Sequence, residues 1–213
     1  MPHMEQVTTS RFLRALRDDV DDDQRAALVA GMAEALSAKP YPRVTVEDVV
    51  VRARLPRTAF FQHFADKEEC FLATYETCGE LLRAQTAAAV LGSAGEPYSD
   101  RIAHGVRAYL DTLASEPGLA RAFLRDVSDA GPEALRRRRA VNERFATMIR
   151  LLAEQHRDEL PEGYAVHPEM ARELVEALEA LVLGTIADDR PQDLPRLTDT
   201  ATRMIHAALV AGD

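Results

Sequence analysis

Ala- and Leu-rich blocks broken by Gly and Pro dominate this chain and leave it few folds to choose from. "GSAGEPYS", "EPG", "AGPE", "LPEGYAVHP" and "DRPQDLP" punctuate the C-terminal two-thirds, and each cluster ends one helix and turns the chain toward the next. Ala and Leu between the breaks favour helix. Residues that prefer strands gather into a run only in "VTVEDVVV" at 44 to 51. Even this run reads better as a short helix, because Thr45 is a good N-cap and Asp48 completes a variant of the capping box. Val46, Val49 and Val50 then share one side. The expected fold is all-α, with about nine helices.

An earlier helix is expected through "DDVDDDQRAALVAGMAEALSAKP", with acids crowding its start and Lys39 and Pro40 marking its end. Leu28, Met32, Ala35 and Leu36 form its buried stripe. Residues 1–20 read as a flexible arm holding one amphipathic fragment, "RFLRALR". No apolar stretch approaches the ~18 residues of a membrane span, and the N-terminus lacks the apolar core of a signal peptide. Cys70 and Cys78 fall eight residues apart on one helix, which places their backbones about 12 Å apart, too far for a disulfide. A reducing, cytoplasmic setting is expected. The histidines show no i, i+4 pair, and GxSxG, P-loop, GxGxxG and CxxC patterns are absent, so no enzyme, metal or cofactor is expected.

The net charge is −9, yet "RARLPRTAFFQHF" at 52 to 64 carries Arg52, Arg54, Arg57 and His63 against no acid. Pro56 cannot extend a helix but suits the first turn of a new one. Three short helices with a tight turn between the second and third make a helix-turn-helix, whose last helix enters the DNA major groove. Arg57 and Thr58 occupy its first turn, where side chains reach base edges. Phe60 and Phe64, spaced i and i+4, are expected to face inward.

Thr45, Val46, Val49, Ala53, Leu55, Phe60, Phe61, His63, Phe64, Lys67 and Glu68 together resemble the DNA-binding signature of the TetR family, between Gln24 and Phe71 and without insertion or deletion. Three positions depart from the family pattern. Arg54 stands at the usual turn glycine, Pro56 at the usual Ser cap, and Phe61 at a tyrosine that commonly contacts phosphate. The resemblance implies a helix-turn-helix domain over 21–66 and a helical ligand-binding and dimerisation domain over 67–213. It implies base readers at Arg57, Thr58 and Gln62. Thr45, Arg43, Arg52, Arg54, Phe61, His63 and Lys67 would then lie near the DNA backbone.

For the second domain, Tyr75, Cys78, His104, Tyr109, Phe123, Phe145 and Met148 are candidate ligand contacts, although such a stripe also suits a plain core. Leu174, Leu178, Leu181, Val182 and Thr185, with Ile205 and Leu209, are the expected homodimer face. "RRRR" at 136 to 139 must fan around its helix. It is either a solvated helix start or a grip on a phosphate-bearing ligand such as an acyl-CoA. The expected function is a regulator, most simply a repressor, that binds a palindromic double-stranded operator as a homodimer and is released by a small apolar effector. A helical sensor with weakened or lost DNA binding is the alternative.

Overall fold

The computed structural model describes residues 11–18, 23–160 and 165–210, and these form ten α-helices with short 3-10 segments and no strand among the described residues. The N-terminal part of the expected arm, the residues just before Asp23 and part of "LPEGYAVHP" lie outside that range. The chain divides into two units between Thr74 and Tyr75, within a helix expected to belong wholly to the second domain.

The first unit holds α1 (Arg11–Asp18), α2 (Gln24–Ala38), α3 (Val46–Ala53), α4 (Arg57–His63) and the start of α5 (Lys67–Gly92). α1 falls where a flexible arm is expected. Its Phe12, Leu13 and Leu16 are buried as it packs on α2, because an apolar face on so short a helix is stable only when covered. Asp23 caps α2, its carboxylate accepting from the Arg25 N–H at 2.8 Å. The stripe Leu28, Met32, Ala35 and Leu36 is buried as the sequence predicts.

α3 crosses α2 at Gly31, where a Cβ would stand 2.6 Å from the Val49 carbonyl oxygen and 3.0 Å from the Ala53 nitrogen. Only hydrogen fits there, so Gly31 sets how closely the two backbones approach. Val49, Phe60, Cys70 and Phe71 are fully buried and Phe64 nearly so. The first turns of α5 therefore belong to this core, with Thr74 Oγ1 donating to the Cys70 carbonyl at 2.8 Å.

The second unit continues α5 and adds α6 (Tyr98–Ser115), α7 (Pro117–Leu124), α8 (Gly131–Gln155), α9 (Pro168–Ala187) and α10 (Thr198–Val210). At the "DRPQDLP" break, Pro191–Leu197 forms a 3-10 segment, since Pro195 supplies no N–H for an α-helix. α8 packs on α9, and α6 on α10 and that segment. Leu110, Val182, Leu194, Ala201 and Leu209 fill the centre. No helix among the described residues is long and apolar enough to cross a membrane.

Candidate nucleic-acid interface and ligand-binding interior

The interface is built on local backbone chemistry. Both arms of the capping box form at the start of α3: the Asp48 N–H donates to Thr45 Oγ1 at 3.2 Å, and the Thr45 N–H donates to Asp48 Oδ2 at 2.8 Å. The Thr45 hydroxyl also donates to Asp48 at 2.6 Å, and Lys39 Nζ lies 2.6 Å from the same carboxylate. Hydrogen bonds from Lys39 and Thr45 hold the Asp48 carboxyl well below the usual range.

α3 ends on Arg54 in the left-handed region, φ 57° and ψ 38°. The Leu55 N–H donates to the Val50 carbonyl at 3.0 Å and the Arg54 N–H to the Val51 carbonyl at 3.3 Å, the pair of bonds that defines a Schellman cap. Glycine normally takes this position because a Cβ strains the left-handed backbone. The turn thus keeps its geometry despite the arginine, and the Arg54 side chain is exposed.

Pro56 provides no side-chain cap for α4. Ala59 and Phe60 are buried, while Arg57, Thr58, Phe61 and Gln62 are exposed and His63 is half-buried. The helix therefore sends one face into the core and presents another whose only charge is positive.

The remaining cations predicted at the interface are unequal. Arg43 is exposed. Arg52 donates to the Asp48 carbonyl at 3.0 Å and lies 3.8 Å from its carboxylate. Lys67 donates to the Tyr41 carbonyl at 3.2 Å, and its ammonium sits 4.3 Å from the centre of the Tyr41 ring. Both side chains are already held by their own unit, Arg52 through an i, i+4 contact within α3 and Lys67 through tertiary packing that spacing does not reveal.

In the second unit, Tyr75 and Tyr109 are buried and meet Phe123 and Phe145 edge-on at 5.3 and 6.0 Å. Cys78 and Met148 are buried too. His104 is not: it lies on the surface of α6, with Nε2 2.8 Å from a Glu96 oxygen. It therefore leaves the candidate ligand set, since α6 turns its buried face through Tyr109 and Val106 instead.

Among these aromatic residues sits a polar group that the sequence reading missed. Glu179 is only 8% exposed and accepts from Arg138 Nη2 at 2.8 Å and Asn142 Nδ2 at 3.0 Å. Burial, reinforced by the Glu179 charge, pushes the Tyr75 and Tyr109 phenols upward. An acid on the apolar face of "ELVEALEALVLG" was the available signal.

The arginine run fans as helical geometry requires. Arg136 pairs with Glu133, while Arg137 reaches Glu133 at 2.8 Å and Glu76 at 2.8 Å. Arg138 turns inward to Glu179, and Arg139 is exposed. Three of the four are thus matched to carboxylates.

The expected dimer face also changes. Leu174, Val182, Ile205 and Leu209 are buried in the protomer's own core, and Leu178 and Leu181 pack against it. Thr185 is half-buried. The exposed edge of α9 carries Ala177, Ala180 and Gly184 beside the exposed Glu173 and Glu176, and a Cβ at Gly184 would meet nothing within 4 Å. The apolar period marks the inward face, while the small residues mark the outward one.

A capped helix, a tight turn and a second helix with an exposed basic face, followed by a larger helical unit with polar groups inside, define a two-domain helix-turn-helix regulator. Residues 28–74 match the family model of bacterial regulatory proteins of the tetR family, and residues 97–209 match that of the tetracycline repressor-like C-terminal domain. The chain belongs to the TetR family of transcriptional regulators.

It is 25% identical over 199 residues to the HTH-type transcriptional regulator EthR of Mycolicibacterium smegmatis, covering 89% of this chain and 87% of that protein. In fold it is similar to FadR of Bacillus subtilis, solved with stearoyl-CoA, at a TM-score of 0.69 and 12% identity over 88% of this chain and 98% of that one. It is also similar to FadR of Bacillus halodurans, at a TM-score of 0.71 and 12% identity over 87% and 96%.

Proposed function

We propose that the protein represses transcription by binding a palindromic operator as a homodimer, in a reducing cytoplasmic setting, and lets go when a small apolar effector occupies its second unit. The observation that carries the DNA-binding part is the outward face of α4. Arg57, Thr58 and Gln62 stand exposed there, above a buried Phe60 and Phe64 that hold the helix in place. Arg43 and Arg54 flank that helix in the chain as exposed cations suited to phosphate, which fixes register rather than sequence. The exposed Ala177, Ala180 and Gly184 suit close approach of a second α9, and a two-fold dimer matches the symmetry of a palindromic site.

The effector reading rests on the group around Glu179. Arg138 and Glu179 balance each other; an acidic ligand would have to displace the carboxylate and a basic one the guanidinium. An uncharged ligand with an apolar body and one hydrogen-bonding group avoids both costs. The stearoyl-CoA bound in Bacillus subtilis FadR makes a long acyl chain a sensible body to test. With Arg136, Arg137 and Arg138 matched to carboxylates, a CoA phosphate finds fewer free partners here. For regulation, the effector must bind the DNA-free state more tightly than the DNA-bound one.

The test is fluorescence anisotropy with DNA from upstream of the protein's own gene, titrated with salt. A sequence preference that survives added salt is expected, whereas loss of all preference would favour a sensor without an operator. Adding a fatty acid, its CoA thioester and its neutral alcohol in parallel should release DNA best with the alcohol. Equal release by all three would refute the neutral-ligand reading.

A further inference from the structure

The recognition helix carries an exposed aromatic residue that needs a purpose. Phe61 is 50% exposed, yet it has no hydroxyl with which to bond phosphate. Its ring is nevertheless fixed. It packs edge-on against Phe60, at 5.3 Å between centroids and 76° between planes, and Phe60 is fully buried. Phe60 in turn tilts against Phe64 at 5.7 Å. One helical turn before Phe61, the guanidinium carbon of Arg57 lies over the Phe61 ring, 5.2 Å from its centroid. No carboxylate among the described residues pairs with Arg57.

We infer that Phe61 is a positioning residue for Arg57, holding the guanidinium by its flat face so that its edge stays free for a guanine. This rests on the DNA-binding reading above. A guanidinium attracted to a ring through its face keeps its N–H fork available, and that fork forms the bidentate bond to guanine O6 and N7. The side chain of a free arginine samples many rotamers that binding must collapse. Stacking removes part of that loss in advance. The same contact gives a reason for phenylalanine here: the bare ring supplies the platform without a hydroxyl that would draw the side chain toward phosphate.

The experiment measures binding of wild type, Arg57→Ala, Phe61→Ala, Phe61→Leu, Phe61→Tyr and the Arg57→Ala/Phe61→Ala double variant. Each is tested on the operator and on a panel of single base-pair changes. Phe61→Ala and Phe61→Leu should both weaken binding by about three- to thirtyfold and flatten preference at the same base pair that Arg57→Ala flattens. Phe61→Tyr should retain that preference, and the double variant should bind no worse than Arg57→Ala alone. Thermal unfolding of each variant checks that the fold persists; Leu keeps apolar bulk without the π face. The inference is overturned if Phe61→Leu behaves as wild type, if the two losses multiply, or if Phe61→Ala weakens all operators equally. A wild-type protein with no base preference would instead bring down the DNA-binding reading, and this inference with it.

Discussion

Replacing Arg54 with glycine should make the first unit more stable and its grip on DNA weaker, two effects of opposite sign from one side chain. Arg54 sits at φ 57° and closes a Schellman cap. An L-residue in that conformation costs roughly 1–2 kcal/mol. Glycine removes the strain but loses about 0.5–1 kcal/mol more chain entropy on folding. Taken at mid-range the balance is a gain of about 0.75 kcal/mol, or roughly 3–6 °C if the unit melts as a domain of its own size. On DNA, losing one phosphate contact in each of two protomers should lower the slope of log affinity against log salt by about two. Arg54→Ala separates the effects, because alanine keeps the strain and lacks the charge. Urea unfolding and anisotropy at several salt concentrations read both quantities. If glycine is no more stable than alanine, the strain argument is wrong; if the salt slope is unchanged, Arg54 does not touch the DNA backbone.

Three further outcomes are expected. Gly31→Ala should destabilise the protein by about 1–3 kcal/mol in urea, despite the better helix propensity of alanine, because the new methyl meets the Val49 carbonyl rather than a movable side chain; a neutral result would mean that α2 and α3 do not cross so closely. Asp48 is held below its ordinary value of 3.8, so its contribution is complete above that pH and fades as pH falls beneath it; Asp48→Asn should flatten the acid limb of the stability profile, and an unchanged limb would contradict the capping role. Burial pushes the Cys70 thiol up to about 12 and also raises Cys78, so alkylation at pH 8 should label neither until urea unfolds the chain, and rapid labelling of native protein would show otherwise.

Features that depend on neighbours in the chain were legible in the sequence. The Thr45–Asp48 box, the inward Phe60 and Phe64 and the buried stripe of α2 all follow from spacing and short-range hydrogen bonding. Such features are decided within one or two turns, by dihedral preferences and periodicity. The departure at Arg54 was legible as well, since a side chain at the usual turn glycine had to be accepted by the turn or carried on a left-handed backbone, and Arg54 is left-handed.

Other features required the tertiary structure, because their causes lie far away along the chain. Arg138 reaches Glu179 across 41 positions and Arg137 reaches Glu76 across 61, so neither pairing appears in any local pattern. His104 and Tyr109 share one helix, yet only packing determined that the first faces solvent and the second the core. The apolar stripe of α9 could have met a second protomer or its own; burial of Leu174 and Val182 assigns it inward and leaves the small residues outside. Periodicity marks which face of a helix avoids water, and only the assembled fold determines which surface covers it.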